Sequence, residues 1–206
     1  MNRPNLLQGQ NLPPPPQQRR SREKRQAILE AAIVRFGRDG YERASIEGIA
    51  REAGVATGAV YQFFRSKRQL LLVLMDALLQ RLEDLPPPKL AVNRPILKGI
   101  EGFLTDAFSR EIAFVGVYRA WQEAALVDAA FVTHDQQIRA WSYQRVRGLL
   151  GLLVNLPSAR HKLDLATLAE LWGRFFWYLL AQPPSNRKRA VRTIAEMLHH
   201  IIFSQE

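Results

Sequence analysis

Hydrophobic positions recur along most of this chain at three- and four-residue steps, which place side chains on one face of an α-helix. A first helix is predicted from Ser21 to about Gly40, and a second from Ser45 to Ala53. Alternating β-branched runs typical of strands are missing. Further helices are expected over residues 57–64, 66–85, 94–109, 111–127, 131–154, 163–181 and 186–204. The pattern predicts an all-α fold with a short N-terminal domain and a larger C-terminal antiparallel helical bundle.

Caps and prolines mark several helix boundaries. Thr57 follows the turn residue Gly54 and is a candidate cap for the third helix. Ser66 and Gln69 have the spacing of a capping box at the start of the fourth helix. The prolines at 86–88 are predicted to end that helix.

The first 19 residues differ from the rest of the chain. Four consecutive prolines at 13–16 stand among glutamine and asparagine, so apolar content is low. We expect a disordered, Pro-rich leader over 1–19, a helix-turn-helix domain over 20–66 and a larger helical domain over 67–206.

Charge indicates a polyanionic partner. The 206 residues include 29 Lys and Arg against 19 Asp and Glu, a net charge of +10. Residues 1–70 carry 13 basic and 6 acidic side chains, so most of the excess lies in the first third. Such a field attracts nucleic acid or an anionic membrane surface, and charge alone does not choose between them.

Several classes of chemistry lack the residues that they need. The sequence has no cysteine, which rules out disulfides and thiolate sites, and its four histidines lack a metal-ligand spacing. No phosphate-binding loop or nucleophile elbow occurs. We therefore expect no enzyme activity, no cofactor and no metal. The first 20 residues do not read as an export signal and no apolar run approaches the about 20 residues of a membrane span, so a cytoplasmic protein is expected.

Residues 45–71 carry the most specific pattern. Two short helices joined by a glycine-containing turn form a helix-turn-helix, whose second helix lies in the major groove of DNA. Because that groove is only about 12 Å wide, the small residues Gly58 and Ala59 would let the backbone approach the bases. Val60 and Phe64, four residues apart, are expected to pack inward, while Tyr61 and Gln62 face the DNA.

The stretch "SIEGIAREAGVATGAVYQFFRSKRQLL" closely resembles the DNA-binding motif of TetR/AcrR-family transcriptional regulators. The preceding "ILEAAIVRFGRDGYERAS" looks like that family's first helix and its connection, so the resemblance covers about residues 24–75. It implies a homodimer that binds a double-stranded DNA operator, with a C-terminal effector domain and repression that a small ligand releases. The expected DNA-binding residues are Ser45, Thr57, Gly58, Ala59, Tyr61, Gln62, Phe63 and Lys67.

Apolar faces in the C-terminal part predict two further surfaces. The last two helices are apolar on broad faces, which favours a dimer interface that includes Trp172, Phe176, Leu179, Ile194, Leu198 and Ile201. Aromatic stripes on the middle helices favour a pocket for a small apolar or aromatic effector, although they are also compatible with a fully packed core. Its expected residues are Phe114, Tyr118, Trp121, His134, Trp141, Arg145 and Arg174.

A different class of function competes with this interpretation. A helical interaction or lipid-carrying protein could use the same basic face on an anionic membrane or a protein partner. Such a helix needs large apolar residues opposite its charges, whereas the third helix begins with Gly58 and Ala59. The sequence therefore favours DNA.

Overall fold

The computed structural model describes residues 2–88, 95–110, 114–160, 162–180 and 184–203, which form nine α-helices and no strand. The predicted all-α class is confirmed. None of the helices within these ranges is long and apolar enough to cross a bilayer. The helices are α1 Arg19–Arg43, α2 Ile46–Glu52, α3 Thr57–Tyr61, α4 Lys67–Glu83, α5 Ile96–Arg110, α6 Val115–Val127, α7 Ala129–Val154, α8 Leu165–Leu180 and α9 Pro184–Phe203.

Two helix starts differ in how well the sequence predicted them. Ser66 caps α4 as expected, because its Oγ accepts a hydrogen bond from the Gln69 backbone N–H at 3.2 Å. The predicted capping role of Thr57 is wrong. Thr57 is the first residue of α3, and Ala56 occupies the cap position without a side-chain hydrogen bond.

Contacts divide the chain into two compact units. We call Arg3–Glu83 with Ala113–Asp135 the N-terminal unit, and Asp84–Ile112 with Gln136–Glu206 the C-terminal unit, to which the first two residues are also assigned. The grouping differs from the boundary after residue 66 that the sequence suggested, because α4 and α6 pack with α1 in the N-terminal unit.

In the N-terminal unit, α1 and α6 cross at very short range. A Cβ atom on Gly116 of α6 would collide with the backbone of Gly37 in α1. Beyond this crossing, α1 breaks at Gly40, whose φ of 77° is a left-handed conformation that favours glycine. Next to it, the Tyr41 ring packs on Phe131, which in turn meets Trp121 edge-on at 4.8 Å.

The C-terminal unit has its own apolar core. α5 packs against α9, and buried side chains from α5, α7, α8 and α9 meet between them. Polar groups in this unit are matched to partners: the buried Trp177 indole N–H donates to Ser142 Oγ at 3.1 Å. Asp164 caps α8, because its carboxylate accepts from the backbone N–H groups of Ala166 and Thr167 and from the Thr167 hydroxyl.

The segment before α1 does not have the structure that its composition suggested. Leu6 is fully buried, and Arg3 forms ion pairs with Asp76 and Glu83 of α4. Part of the predicted leader, between Arg3 and Asn11, is therefore held at α4. Composition missed this because the binding partners lie more than 70 positions further along the chain.

Candidate nucleic-acid interface

The helix-turn-helix forms because each end of its short helices has a local partner. Ser45 caps α2, since its Oγ accepts from the Gly48 backbone N–H at 3.0 Å. At the other end, Gly54 adopts a φ of 67°, and the next backbone N–H, that of Val55, returns to the Ala50 carbonyl at 3.0 Å. A residue with a Cβ would be strained at this turn, so glycine sets the angle at which α3 follows α2.

One face of α3 packs against the rest of the N-terminal unit. Val60 and the following Phe64 are fully buried, as the spacing predicted, together with Ile49 of α2. The Arg25 guanidinium lies 5.1 Å from the centre of the Phe64 ring, so a basic residue of α1 covers this aromatic side chain. Burial lowers the pKa of Arg25 from its usual value.

The opposite face of α3 is open. Gly58 is exposed, and a Cβ built on it would have no atom within 4 Å. Tyr61 is 48% exposed and Gln62 is also exposed. The remaining predicted contacts on this segment, Thr57, Ala59 and Phe63, are partly exposed, as is Ser45 at the start of α2. The structure thus brings a bare helix surface, an aromatic hydroxyl and an amide to one face.

Lys67 has a structural role that the sequence did not reveal. Its Nζ donates to three backbone carbonyls at the C-terminal end of α1, those of Tyr41 at 2.8 Å, Glu42 at 3.0 Å and the following Ala44 at 3.3 Å. These acceptors match the three donors of an ammonium group. A phosphate at this lysine would have to replace or share one of these hydrogen bonds.

Glu123 of α6 holds the same connection from its other side. Its carboxylate accepts from the backbone N–H groups of Tyr41 at 2.7 Å and Glu42 at 3.0 Å. We call residues 40–45, which comprise the end of α1 from its break at Gly40 and the two residues before α2, the α1–α2 connection. Its N–H groups are held by Glu123 and its carbonyls by Lys67, which fixes where α2 starts. Burial, with a contribution from Asp128, raises the pKa of the Tyr41 hydroxyl in this region.

The predicted effector residues lie in both units. In the N-terminal unit, Trp121 is fully buried and its indole N–H donates to Asp135 Oδ1 at 3.2 Å, while the His134 ring is 6.5 Å away. Phe114 and Tyr118 are also buried there. In the C-terminal unit, Trp141 is buried with the Arg145 guanidinium 5.8 Å from its ring centre.

Arg174 does not belong with these residues. Its side chain is 72% exposed and donates to Glu170, four residues earlier, at 2.6 Å. It forms a surface pair of the kind common along helices. The assignment of Arg174 to an effector pocket is therefore corrected.

The predicted dimer residues lie largely in the core of one chain, and their part in an interface stays a prediction. Trp172, Ile194 and Leu198 lie in the core of their own unit, so they have little surface to offer a partner. Phe176 and Ile201 pack against the same core, and the Leu179 side chain lies outside the described residues. Among the described side chains of these two helices, the large exposed apolar ones are Leu171, Phe175, Tyr178 and Met197.

Comparison with known proteins identifies the helix-turn-helix region. Residues 28–74 match the family model described as bacterial regulatory proteins, tetR family. Similarity to the HTH-type transcriptional regulator SrpR of Pseudomonas putida extends over 79% of this chain and 87% of that protein at 26% identity. This similarity to the TetR family covers the helix-turn-helix.

Two further comparisons show how much of the chain is similar to known proteins. The HTH-type transcriptional repressor KstR of Mycolicibacterium smegmatis is 34% identical over 62 residues, which are 30% of each chain. The structure of the ketosteroid transcriptional regulator KstR2 of Mycobacterium tuberculosis matches with a TM-score of 0.62 over 88% of this chain and 96% of that one, at 18% identity. At that identity the structural match shows the fold alone, so the TetR-like fold extends beyond the matched motif.

Sequence reasoning missed Glu123 as part of the site. This carboxylate lies 82 positions from Tyr41, and nothing in its helical spacing distinguishes it from a surface residue. The one available signal was Gly40, because a helix-ending glycine leaves backbone N–H groups that need acceptors.

Proposed function

We propose that this protein is a dimeric, DNA-binding transcriptional repressor that a small apolar or aromatic effector releases from its operator. The observation that carries the proposal is the open face of α3, with no atom near Gly58 and with Tyr61 and Gln62 exposed beside it. A buried face on the same helix, formed by Val60, holds that surface rigidly. The name of the KstR relative, a transcriptional repressor, supports the sign of regulation.

In this proposal, α3 enters the major groove. Gly58 and Ala59 allow close approach of the backbone, Gln62 reaches a base edge or the backbone, and Tyr61 donates to a phosphate. Thr57, Phe63 and Ser45 lie at the edges of the contact. Lys67 neutralises a further phosphate by sharing one of the hydrogen bonds that its Nζ donates to backbone carbonyls. The excess of positive charge in residues 1–70 supports binding to a polyanion.

Dimerisation is proposed through the exposed faces of α8 and α9. Leu171, Phe175 and Tyr178 follow one another at steps of four and three residues, so they form one apolar stripe on α8. Exposed apolar stripes of this kind mark association surfaces. Two copies related by a two-fold axis would present two α3 helices to successive turns of one DNA face.

The effector is proposed to be largely apolar or aromatic. Within the N-terminal unit, Phe114, Tyr118, Trp121 and His134 supply aromatic surface with a few polar groups. Within the C-terminal unit, Trp141 and Arg145 offer a second aromatic surface with a polar group. A ketosteroid, named for KstR2, is one ligand of this class. Compounds can be screened for thermal stabilisation and then for operator release. Stabilisers that never change operator affinity would contradict the coupling.

The DNA-binding proposal is tested by selecting fragments of the source genome that bind the purified protein. We expect a near-palindromic duplex with half-sites about 10 base pairs apart or a multiple of that spacing. Anionic vesicles serve as the competing target. Binding to vesicles with no selected duplex would favour the membrane-binding or lipid-carrying alternative.

A further inference from the structure

The segment before α1 lies along one stripe of α4 in a defined direction. Near the start of α4, the Gln69 side-chain amide donates to the Asn11 carbonyl at 3.2 Å. Further along, Arg3 forms ion pairs with Asp76 and, at 3.5 Å, with Glu83. The three helix residues are seven positions apart, so they lie on one face. The segment therefore runs antiparallel to α4, and we call Arg3–Asn11 the strap.

The strap contains one fully buried apolar side chain. Leu6 has 0% exposure, which places it among the most deeply buried large side chains described. Backbone turns present it, because the N–H groups of Leu7 and Gln8 donate to Asn5 and the N–H of Gln10 donates to Leu7. On α4, every residue from Gln69 to Met75 is buried, so that part of the helix is covered on all faces.

The strap connects to the DNA-reading helix through Gln69. While the amide nitrogen of Gln69 holds Asn11, its Oε1 accepts from the backbone N–H of Arg65 at 2.8 Å. Arg65 follows Phe64, the buried residue three positions after the end of α3. Two residues before Gln69, Lys67 caps the α1–α2 connection. The strap thus contacts the part of α4 that fixes both ends of the helix-turn-helix.

We propose that the strap is a positioning segment for operator binding: docked on α4, it holds the start of this helix and thereby the orientation of α3. The inference rests on the DNA binding proposed above. The prolines at 13–16 favour its docking, because a polyproline stretch is stiff and keeps the strap close to α4 at a small entropic cost.

The ion pairs of Arg3 favour this positioning role over an alternative in which the same segment is an arm that contacts DNA. The Arg3 guanidinium is committed to two carboxylates, and its side chain is only 19% exposed. A phosphate contact would require it to leave both. The two alternatives also predict opposite effects of removing the Asp76 carboxylate. Its loss would weaken operator binding if Asp76 holds the strap, and would strengthen it if Asp76 repels DNA.

The test compares Arg3→Gln, Asp76→Asn and the double variant in the full-length protein, with operator affinity measured at several salt concentrations. We expect each single variant to weaken operator binding by about fivefold, the lower end of typical coupling between sites. The double variant should be no weaker than either single one, and the slope of affinity against salt should stay as in the wild type.

The arm hypothesis predicts a different result. If Arg3 contacts a phosphate, Arg3→Gln reduces the salt slope by about one and Asp76→Asn leaves affinity unchanged or increases it. That result would overturn the proposal. So would variants that melt at lower temperature but bind the operator as tightly as the wild type while folded, because the strap would then stabilise without positioning.

A second pair of variants tests the anchor independently of charge on α4. Leu6→Asp should release the strap and weaken operator binding by a similar factor, whereas Gln8→Asp adds the same charge at an exposed position and should have little effect. Equal operator affinities of the Leu6→Asp and Gln8→Asp variants would refute the positioning role of the strap. A wild-type protein that binds no specific duplex would instead refute the proposed function.

Discussion

At the scale of single residues, Gly58 is a position where the requirements of DNA recognition differ from those of folding. It lies within α3 on the exposed side, and a Cβ there would meet no atom of the chain. Glycine inside a helix costs about 1 kcal/mol relative to alanine. Its presence is therefore unfavourable for the fold, and the close approach of a groove gives a physical reason for it.

Gly58→Leu is expected to fold at least as stably as the wild type and to lose specific operator binding, because the added side chain blocks entry into the groove. Thermal unfolding and operator titration on the same samples check both parts. Gly102→Leu is the matched control, since Gly102 lies in α5 and also has open space around it. Wild-type operator affinity in a folded Gly58→Leu protein would contradict the groove assignment.

Sequence alone could predict the residues whose role depends on their own helix. Val60 and Phe64 are buried because they share a face, and Tyr61 and Gln62 are exposed because they do not. It could not predict partners that the fold brings from far away. Lys67 was expected to face only phosphate, yet its donors reach carbonyls more than 20 positions earlier in the chain.

At the scale of elements, α6 contributes the Glu123 carboxylate to the α1–α2 connection. Glu123→Gln keeps the size of the side chain but leaves one acceptor oxygen in place of two. Hydrogen bonds to charged groups contribute about 1.5–3 kcal/mol each, so we expect a loss of roughly 1–3 kcal/mol in the free energy of unfolding.

Operator affinity should fall as well, because the start of α2 is less well fixed. Denaturant unfolding and operator titration provide the two measurements. Gln122→Glu is a control on the adjacent, exposed position of α6. Unchanged stability in Glu123→Gln would show that the carboxylate does not hold the connection.

The cap of α8 predicts a dependence on pH. Hydrogen bonds from the Thr167 side chain and backbone, with a smaller one from Ala166, lower the pKa of Asp164. A group with a lowered folded-state pKa stabilises above its unfolded pKa, and the contribution is lost as pH falls through the folded value. Asp164→Ala should therefore lower the melting temperature at neutral pH and have progressively less effect in acid.

Melting curves at neutral and acidic pH check this expectation. Asp106→Ala removes a carboxylate from an exposed position within α5 and serves as the control. A melting-temperature difference between Asp164→Ala and the wild type that persists unchanged in acid would mean that the charge of the cap is not what stabilises α8.

At the scale of the whole molecule, the sequence predicted well where the helices lie and poorly which of their faces pack in the core. Helix periodicity is local, so the nine helices of the described residues were expected within a few residues of where they lie. In α8, however, apolar residues occupy nearly every face, and period alone cannot tell which one meets the core. Trp172 was therefore assigned to a partner surface although it is buried, while Phe175 was overlooked. The strap on α4 was missed for a related reason, because its partners are distant in sequence.

The exposed stripe on α8 gives the last prediction. Phe175 and Tyr178 are 43% and 61% exposed, so glutamate at both positions should leave the fold intact and place four charges in a two-fold interface. We expect the wild type to sediment as a dimer at micromolar concentration and the double variant as a monomer. Operator affinity should drop steeply, because one protomer engages only one half-site. Leu126→Glu, at an 86% exposed position of α6, should remain dimeric. Substitutions at Phe176 would be less informative, since its ring stacks on Phe108 at 5.1 Å and its loss disturbs the core itself. A folded double variant that still sediments as a dimer would exclude this stripe as the interface.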